Sequence, residues 1–140
     1  MSKDPPRPTE YARDPEHTVL DQGTAFLSTA LTGISEVSGW DKSIITALKT
    51  WCDDPRPAVT RRTSKEPDKF PELIDICRRI PECGPFFVKQ LEINPSTLWR
   101  WSMGHSRPAS YVANSVVSDL IDIICERLEH QRALAAGPEI

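Results

Sequence analysis

Thirteen prolines divide this 140-residue chain, and their positions determine where a helix can continue. Proline lacks a backbone N–H and its ring clashes with the preceding helical turn, so helix interiors exclude it. Four prolines precede residue 16, and another four lie between residues 55 and 71. We therefore expect two irregular segments: a disordered Pro-rich arm over residues 1–17 and a linker over residues 55–69 that is mobile or lies on the surface rather than in the core.

Between these segments, apolar residues recur at the three- and four-residue spacing of helices, without the alternation typical of strands. Asp41 suits the N-cap of a helix that must end before Pro55. The longest apolar stripe lies on a predicted helix from about Ala109 to His130. The sequence therefore predicts an all-α helical bundle. We expect an N-terminal helical module over residues 18–54, followed by a helix-turn-helix module with a long C-terminal helix over residues 70–136. The sequence leaves open whether the two are separate small modules in tandem or parts of one bundle.

Charge and hydropathy exclude several broad classes of protein. A net charge of −3 excludes a polycation that coats nucleic acid without discrimination, although a local patch can still bind a specific site. No apolar run approaches the roughly 18 residues needed to cross a bilayer. The first residues also lack the apolar core of a signal peptide. These features predict a cytoplasmic protein with no membrane partner.

The sequence indicates neither a metal site nor a catalytic set. Its four cysteines form no Cys-x-x-Cys pair and its three histidines are scattered, so buried thiols are favoured over zinc ligands. A glycine-rich phosphate loop, a His-Glu-x-x-His pair and a Ser-x-Gly nucleophile turn are all missing from the sequence. We expect no cofactor, no metal and no enzymatic activity.

One segment, from Phe87 to Trp101, has a pattern that indicates a function. It predicts two short helices joined by a turn of three or four residues. Asn94 and Pro95 suit the cap and the first position of the second helix, over residues 94–103. Apolar residues occupy the positions expected to face inward, which are Val88, Leu91, Ile93, Leu98 and Trp101. Asparagine and arginine on the outward face can bind base edges, and serine and threonine suit phosphates or bases.

The segment from Leu91 to Trp101 resembles the turn and recognition helix of the lambda-repressor-like helix-turn-helix family. The segment from Gly104 to Pro108 resembles the glycine and Arg-Pro loop that follows them, and the whole resemblance covers about residues 70–125. It implies that helix 94–103 enters the major groove of double-stranded DNA while helix 86–92 lies across the backbone. With the linker cations as phosphate contacts, the candidate DNA-binding residues are Gln90, Asn94, Ser96, Thr97, Trp99, Arg100, Arg107, Arg61 and Arg62.

A weaker second motif lies over residues 31–51 and is similar to the turn of CII-type phage activators, with Gly39 at the turn. A diverged tandem repeat and a chance similarity between short amphipathic helices both explain it. The carboxylate of Asp41 at the helix start would repel phosphate. We therefore expect this motif to serve packing or a partner rather than DNA reading.

Together these features predict a sequence-specific transcriptional regulator of bacterial or phage type. Because a single small module buries little surface on DNA, we expect a homodimer. The stripe on the last helix is wider than one packing seam needs, and we expect its interface residues to be Val116, Leu120, Ile124 and Leu128. The alternative is a helix-turn-helix-derived interaction module that binds RNA polymerase or another regulator. Net acidity and a tryptophan-rich surface favour that alternative.

Overall fold

A computed structural model describes residues 15–60 and 67–137, with side chains from Leu20 onward. Helices dominate this part of the chain, and it contains no strand, so the all-α prediction is confirmed. The five α-helices are α1 (Pro15–Leu31), α2 (Lys42–Asp53), α3 (Phe70–Arg78), α4 (Pro95–Met103) and α5 (Ser110–Ala136). A 3₁₀ turn (Pro81–Cys83) and a π-helical turn (Phe86–Gln90) lie between α3 and α4. Within the described ranges, none of the helices has the length and apolar character that a membrane span requires.

Local signals set the limits of α2 and α1. The carboxylate of Asp41 accepts a hydrogen bond from the Ser43 amide at 2.8 Å, which confirms the predicted N-cap. α2 ends at Asp53, ahead of Pro55 as expected. α1 starts at Pro15, earlier than the expected residue 18, because proline is tolerated in the first turn of a helix. The remainder of the predicted arm, residues 1–14, lies outside the described residues.

α1 and α5 pack side by side and run parallel. A Cβ added at Gly23 would lie 3.4 Å from the Ile121 side chain, so glycine permits the close approach of the two helices. Further along both helices, Arg132 Nη2 donates to the carbonyls of Ala30 and Thr32 at 2.9 and 2.7 Å. The guanidinium thus satisfies backbone oxygens that the end of α1 leaves unpaired.

One hydrophobic core joins the two halves of the described chain. Buried side chains from all five helices belong to a single cluster. α2 contributes Ile44, Ile45, Leu48 and Trp51, and it packs on both α1 and α3. The halves on either side of residues 61–66 therefore share their interior and do not form two separate cores.

Much of the predicted linker that the structure describes is part of this packed structure. Ala58, Val59, Thr60, Asp68 and Lys69 are all buried. Lys69 Nζ donates to the Trp51 and Asp54 carbonyls at 2.7 and 2.9 Å, and the Trp51 indole donates to the Lys69 carbonyl at 2.7 Å. These bonds satisfy a buried ammonium at the C-terminal end of α2. The prediction that the linker stays on the surface is therefore wrong for these residues, while Arg61 and Arg62 lie outside the described residues.

The predicted dimer residues on α5 are also in the core. Val116, Leu120, Ile124 and Leu128 are each at most 1% exposed. α1, α3 and the 3₁₀ turn cover the apolar stripe of α5 within the same chain. The stripe is wide because it packs against several elements at once. The prediction that these residues form a homodimer interface is therefore wrong.

The weaker motif at residues 31–51 lacks its first helix. Residues 34–37 are not helical, although Gly39 does lie in a turn, with φ of 90°. This connection is held to the other half of the fold, because the Trp40 indole donates to Glu82 Oε1 at 2.7 Å. Arg127 donates both to Glu82 Oε2 and to the Ser38 carbonyl. The segment thus packs within the fold.

Candidate nucleic-acid interface

The region predicted as helix-turn-helix contains a short helical turn, a four-residue connection and the capped helix α4. The first part is wider than an α-helix, since the Leu91 amide donates to the Phe86 carbonyl at 3.0 Å, five residues back. It ends at Gln90, two residues before the expected limit of 92. Phe86 and Phe87 are its buried residues, and Val88 is 65% exposed. The prediction that Val88 faces inward is therefore wrong, because the π-helical turn rotates the buried face.

Glu92 has an uncommon backbone conformation within the connection. Its φ is 52°, in the left-handed region that favours glycine. The conformation reverses the chain between the two helical segments, and the Ile93 amide then donates to the Phe87 carbonyl at 3.2 Å. A left-handed residue in a four-residue connection between two helices is a typical helix-turn-helix geometry.

Asn94 closes the start of α4. Its side-chain oxygen accepts from the Thr97 amide at 2.8 Å and from the Ser96 hydroxyl at 3.0 Å. Pro95 occupies the first helical position. An N–H at this position has no partner within the helix, so the helix loses no hydrogen bond to proline there. The oxygen of Asn94 is thus engaged in capping, which leaves its NH₂ group for any contact with DNA.

α4 has a buried side and an exposed side. Trp101 is buried, with its ring 6.0 Å from that of Phe70, and Leu98 is partly buried, as the helical spacing predicts. The helix packs mainly on α3. Ser96, Trp99, Arg100 and Met103 form the exposed side. Gln90 is also exposed and Thr97 is half-buried. One accessible surface on α4 and the segment just before it thus contains four of the predicted site residues: Gln90, Ser96, Trp99 and Arg100.

Trp99 and Arg100 are the prominent groups on this surface. Trp99 is 44% exposed and contacts His105 edge to face, with ring centroids 5.2 Å apart. Arg100 forms no ion pair with any described carboxylate. From residue 86 to 110 the charged residues are Lys89, Arg100, Arg107 and Glu92. This segment is therefore locally basic in a chain with a net negative charge.

Arg107 has a structural partner, unlike Arg100. Its Nη2 atom donates to Oδ2 of Asp68 at 2.6 Å, and its guanidinium lies 5.6 Å from the centre of the Phe70 ring. Asp68 also accepts from the amides of Thr60 and Phe70 at 2.8 and 3.3 Å. Burial alone would raise the pKa of Asp68, but Arg107 and these amides hold that pKa below its usual value. Arg107 thus neutralises a buried carboxylate, a role that the sequence reading missed because the two residues are 39 positions apart.

The cysteines and acidic residues form no metal site in the part of the chain that the structure describes. Cys77 and Cys83 are buried, Cys52 and Cys125 are half-buried, and all four are free thiols. Burial raises the pKa of Cys52 to about 11, and it does the same for Cys125. The described residues contain no group of three histidine, cysteine or acidic side chains that could hold a metal ion.

Comparisons of the chain with protein-family models, curated proteins and solved structures give no match. The features of the chain that bear on its function are therefore the geometry of α4 and of the connection before it.

Proposed function

We propose that this protein is a cytoplasmic, sequence-specific DNA-binding regulator of transcription that reads the major groove with α4. The observation that carries the proposal is the exposed Arg100, which forms no ion pair with a described carboxylate and lies on a capped helix that follows a left-handed turn. An α-helix with its side chains is about 10–12 Å across, which suits a major groove about 12 Å wide. The backbone N–H groups at the start of α4 add a positive partial charge toward phosphate.

Each exposed group on this surface has a distinct role in the proposal. Arg100 donates two hydrogen bonds to a guanine edge, the commonest specific contact of this kind. Lys89, which is exposed on the segment before the connection, contacts the phosphate backbone. Ser96 and the NH₂ group of Asn94 lie at the helix start and contact phosphates or bases. Arg107 takes no part in base reading, because it is paired with Asp68.

The test is DNA binding measured by fluorescence anisotropy. One duplex carries the region upstream of the protein's own gene, and a second duplex of equal length is unrelated. Arg100→Ala should weaken specific binding by about 1–3 kcal/mol, whereas binding to the unrelated duplex should change little. Lys42→Ala is the matched control, since Lys42 is exposed on α2, away from this surface. Equal affinity of the unmodified protein for both duplexes, or no loss with Arg100→Ala, would contradict the proposal.

A second candidate is a protein-interaction module that contacts RNA polymerase or another regulator. Trp99 and Met103 favour it, because they are 44% and 54% exposed and lie one turn apart on α4. Tryptophan, methionine and arginine are enriched at protein interfaces. In this case Trp99→Ala should abolish binding to purified RNA polymerase, and Arg100→Ala should leave DNA retention unchanged. Light scattering of the same samples measures whether the protein is a homodimer, which stays a prediction with no interface assigned.

A further inference from the structure

A cleft lies where α2, α3 and the end of α4 meet. Its volume is about 510 Å³, within the range of small-molecule binding sites. Thr50 and Trp51 line it from α2, and Ser102 and Met103 from α4. It is separate from the outward surface proposed for DNA, although Met103 borders both.

The inner wall of the cleft is apolar. Its apolar residues are Ala47, Trp51, Ile76 and Met103. Trp51 and Ile76 are buried core residues, so this part of the site is rigid and already formed. Met103 is 54% exposed, and its unbranched side chain can adjust to the shape of an occupant. An aromatic ring or a short aliphatic chain would lose contact with water against Trp51, Ile76 and Met103.

The polar wall of the cleft carries three carboxylates and two guanidinium groups, a net charge of −1. Glu72 and Asp75 lie one turn apart on α3, and Asp54 follows α2. Arg56 binds two of these three carboxylates, since it donates to Asp54 at 2.7 Å and also to Glu72. Asp75 is 52% exposed and has only a 3.5 Å contact with Arg78. Asp75 is therefore the carboxylate with the most unused capacity to accept hydrogen bonds.

The helix ends add to this negative potential. The last turns of α2 and α4 both border the cleft, and the C-terminal end of a helix carries a partial negative charge. The second cation on the wall, Arg79, donates to the Ser43 hydroxyl at 3.2 Å. An additional positive charge next to Asp75 would pair with a carboxylate that Arg78 contacts only at 3.5 Å.

We propose that this cleft binds a small organic cation with an apolar body. The ammonium or guanidinium group pairs with Asp75, and the body lies against Trp51, Ile76 and Met103. This inference does not depend on DNA binding by α4. It assigns a ligand site to residues that the helix-turn-helix pattern leaves without a function.

The test uses 2-phenylethylammonium as the probe, and ¹H–¹⁵N NMR of the full chain measures its binding. The indole N–H of Trp51 should shift in a saturable way, whereas that of Trp40, which does not line the cleft, should not. The uncharged 2-phenylethanol and the anionic 3-phenylpropionate should bind at least fivefold more weakly. Equal binding of all three compounds, or no saturable shift at Trp51, would overturn the proposal.

Variants locate the site. Asp75→Asn should weaken binding of the cation at least fivefold, and Asp122→Asn, which removes an exposed charge from α5, should not. Thr50→Phe should fill the cleft and abolish binding. Thr46→Phe is its control, since Thr46 is exposed one turn earlier on α2 and does not line the cleft. Unchanged affinity in Asp75→Asn and Thr50→Phe, with circular dichroism showing both folded, would overturn the proposal.

Discussion

At the scale of single residues, the ion pair between Asp68 and Arg107 shows how a charge on the second half of the chain stabilises a segment near its middle. The side chain of Asp68 is 1% exposed, whereas that of Arg107 is 40% exposed. A buried carboxylate that loses its partner keeps its desolvation penalty and gains nothing in return. Arg107 thus stabilises the fold, and loss of DNA binding in an Arg107 variant would not identify a DNA contact.

The ion pair between Asp68 and Arg107 leads to a prediction about how the stability of the protein depends on pH. Arg107→Ala should reduce the free energy of unfolding at pH 7 by about 2–3 kcal/mol, because the Asp68 carboxylate loses its charged partner. The pKa of Asp68 is lowered in the folded protein, so its stabilising contribution is present above its unfolded value near 3.8. That contribution is lost as the pH falls through the lowered pKa.

The measurement is urea unfolding between pH 7 and pH 2.5. The difference in stability between the unmodified protein and Arg107→Ala should shrink below about pH 4. Lys42→Ala, at an exposed lysine, serves as the control and should show no such difference at any pH. A difference that persists unchanged to pH 2.5 would mean that Arg107 acts through packing on Phe70 and not through Asp68.

Glu92 supports a second prediction at this scale. A side chain in the left-handed region costs about 1–2 kcal/mol, and glycine avoids this cost but loses more entropy on folding. Glu92→Gly should therefore raise stability by about 0.5–1 kcal/mol. Glu92→Gln removes the same charge but retains a side chain, so its stability should stay unchanged. Thermal unfolding of both variants separates backbone conformation from charge, and equal effects would contradict the conformational explanation.

At the scale of elements, features that depend on nearby residues can be predicted from the sequence, whereas contacts between residues distant in sequence cannot. The Asp41 cap, the end of α2 before Pro55 and the inward Trp101 follow from residues within one or two turns. The exposed face of α4 was predicted for the same reason. The buried Asp68 was not, because its partner Arg107 is remote in sequence. Similarly, the spacing of a regular helix predicts an inward Val88. The π-helical turn changes that spacing, so Val88 is exposed.

α5 shows the same limit of prediction from local sequence. Its apolar stripe was predicted correctly, but a stripe on its own does not reveal whether the same chain or a second copy covers it. Ile124→Glu should therefore unfold the protein, because a charge would replace a fully buried side chain in a shared core. Leu134→Glu is the control at a position on α5 that is 57% exposed. Circular dichroism gives the result, and a folded monomer with Ile124→Glu would restore the dimer interpretation.

At the scale of the whole molecule, the shared core predicts that neither half folds alone. A fragment of residues 67–137 contains α3, α4 and α5 but lacks α1, which packs along α5. Its exposed apolar stripe should leave it unfolded or aggregated, whereas the full chain should unfold in one cooperative transition. Circular dichroism with urea titration of both proteins tests this. A fragment that melts cooperatively would show that the helix-turn-helix region is an independent module.

The parallel packing of α1 on α5 also constrains when the protein can fold during its synthesis. The bond from Arg132 to the Ala30 carbonyl joins residues 102 positions apart. At about 5–20 residues per second, the ribosome needs roughly 5–20 s to make the chain between them. Throughout that interval Leu20, Leu27 and Leu31 lack the cover of α5, and of the helices that pack on α1 only α2 has been made. We therefore expect the native state to form only after α5 has left the ribosome.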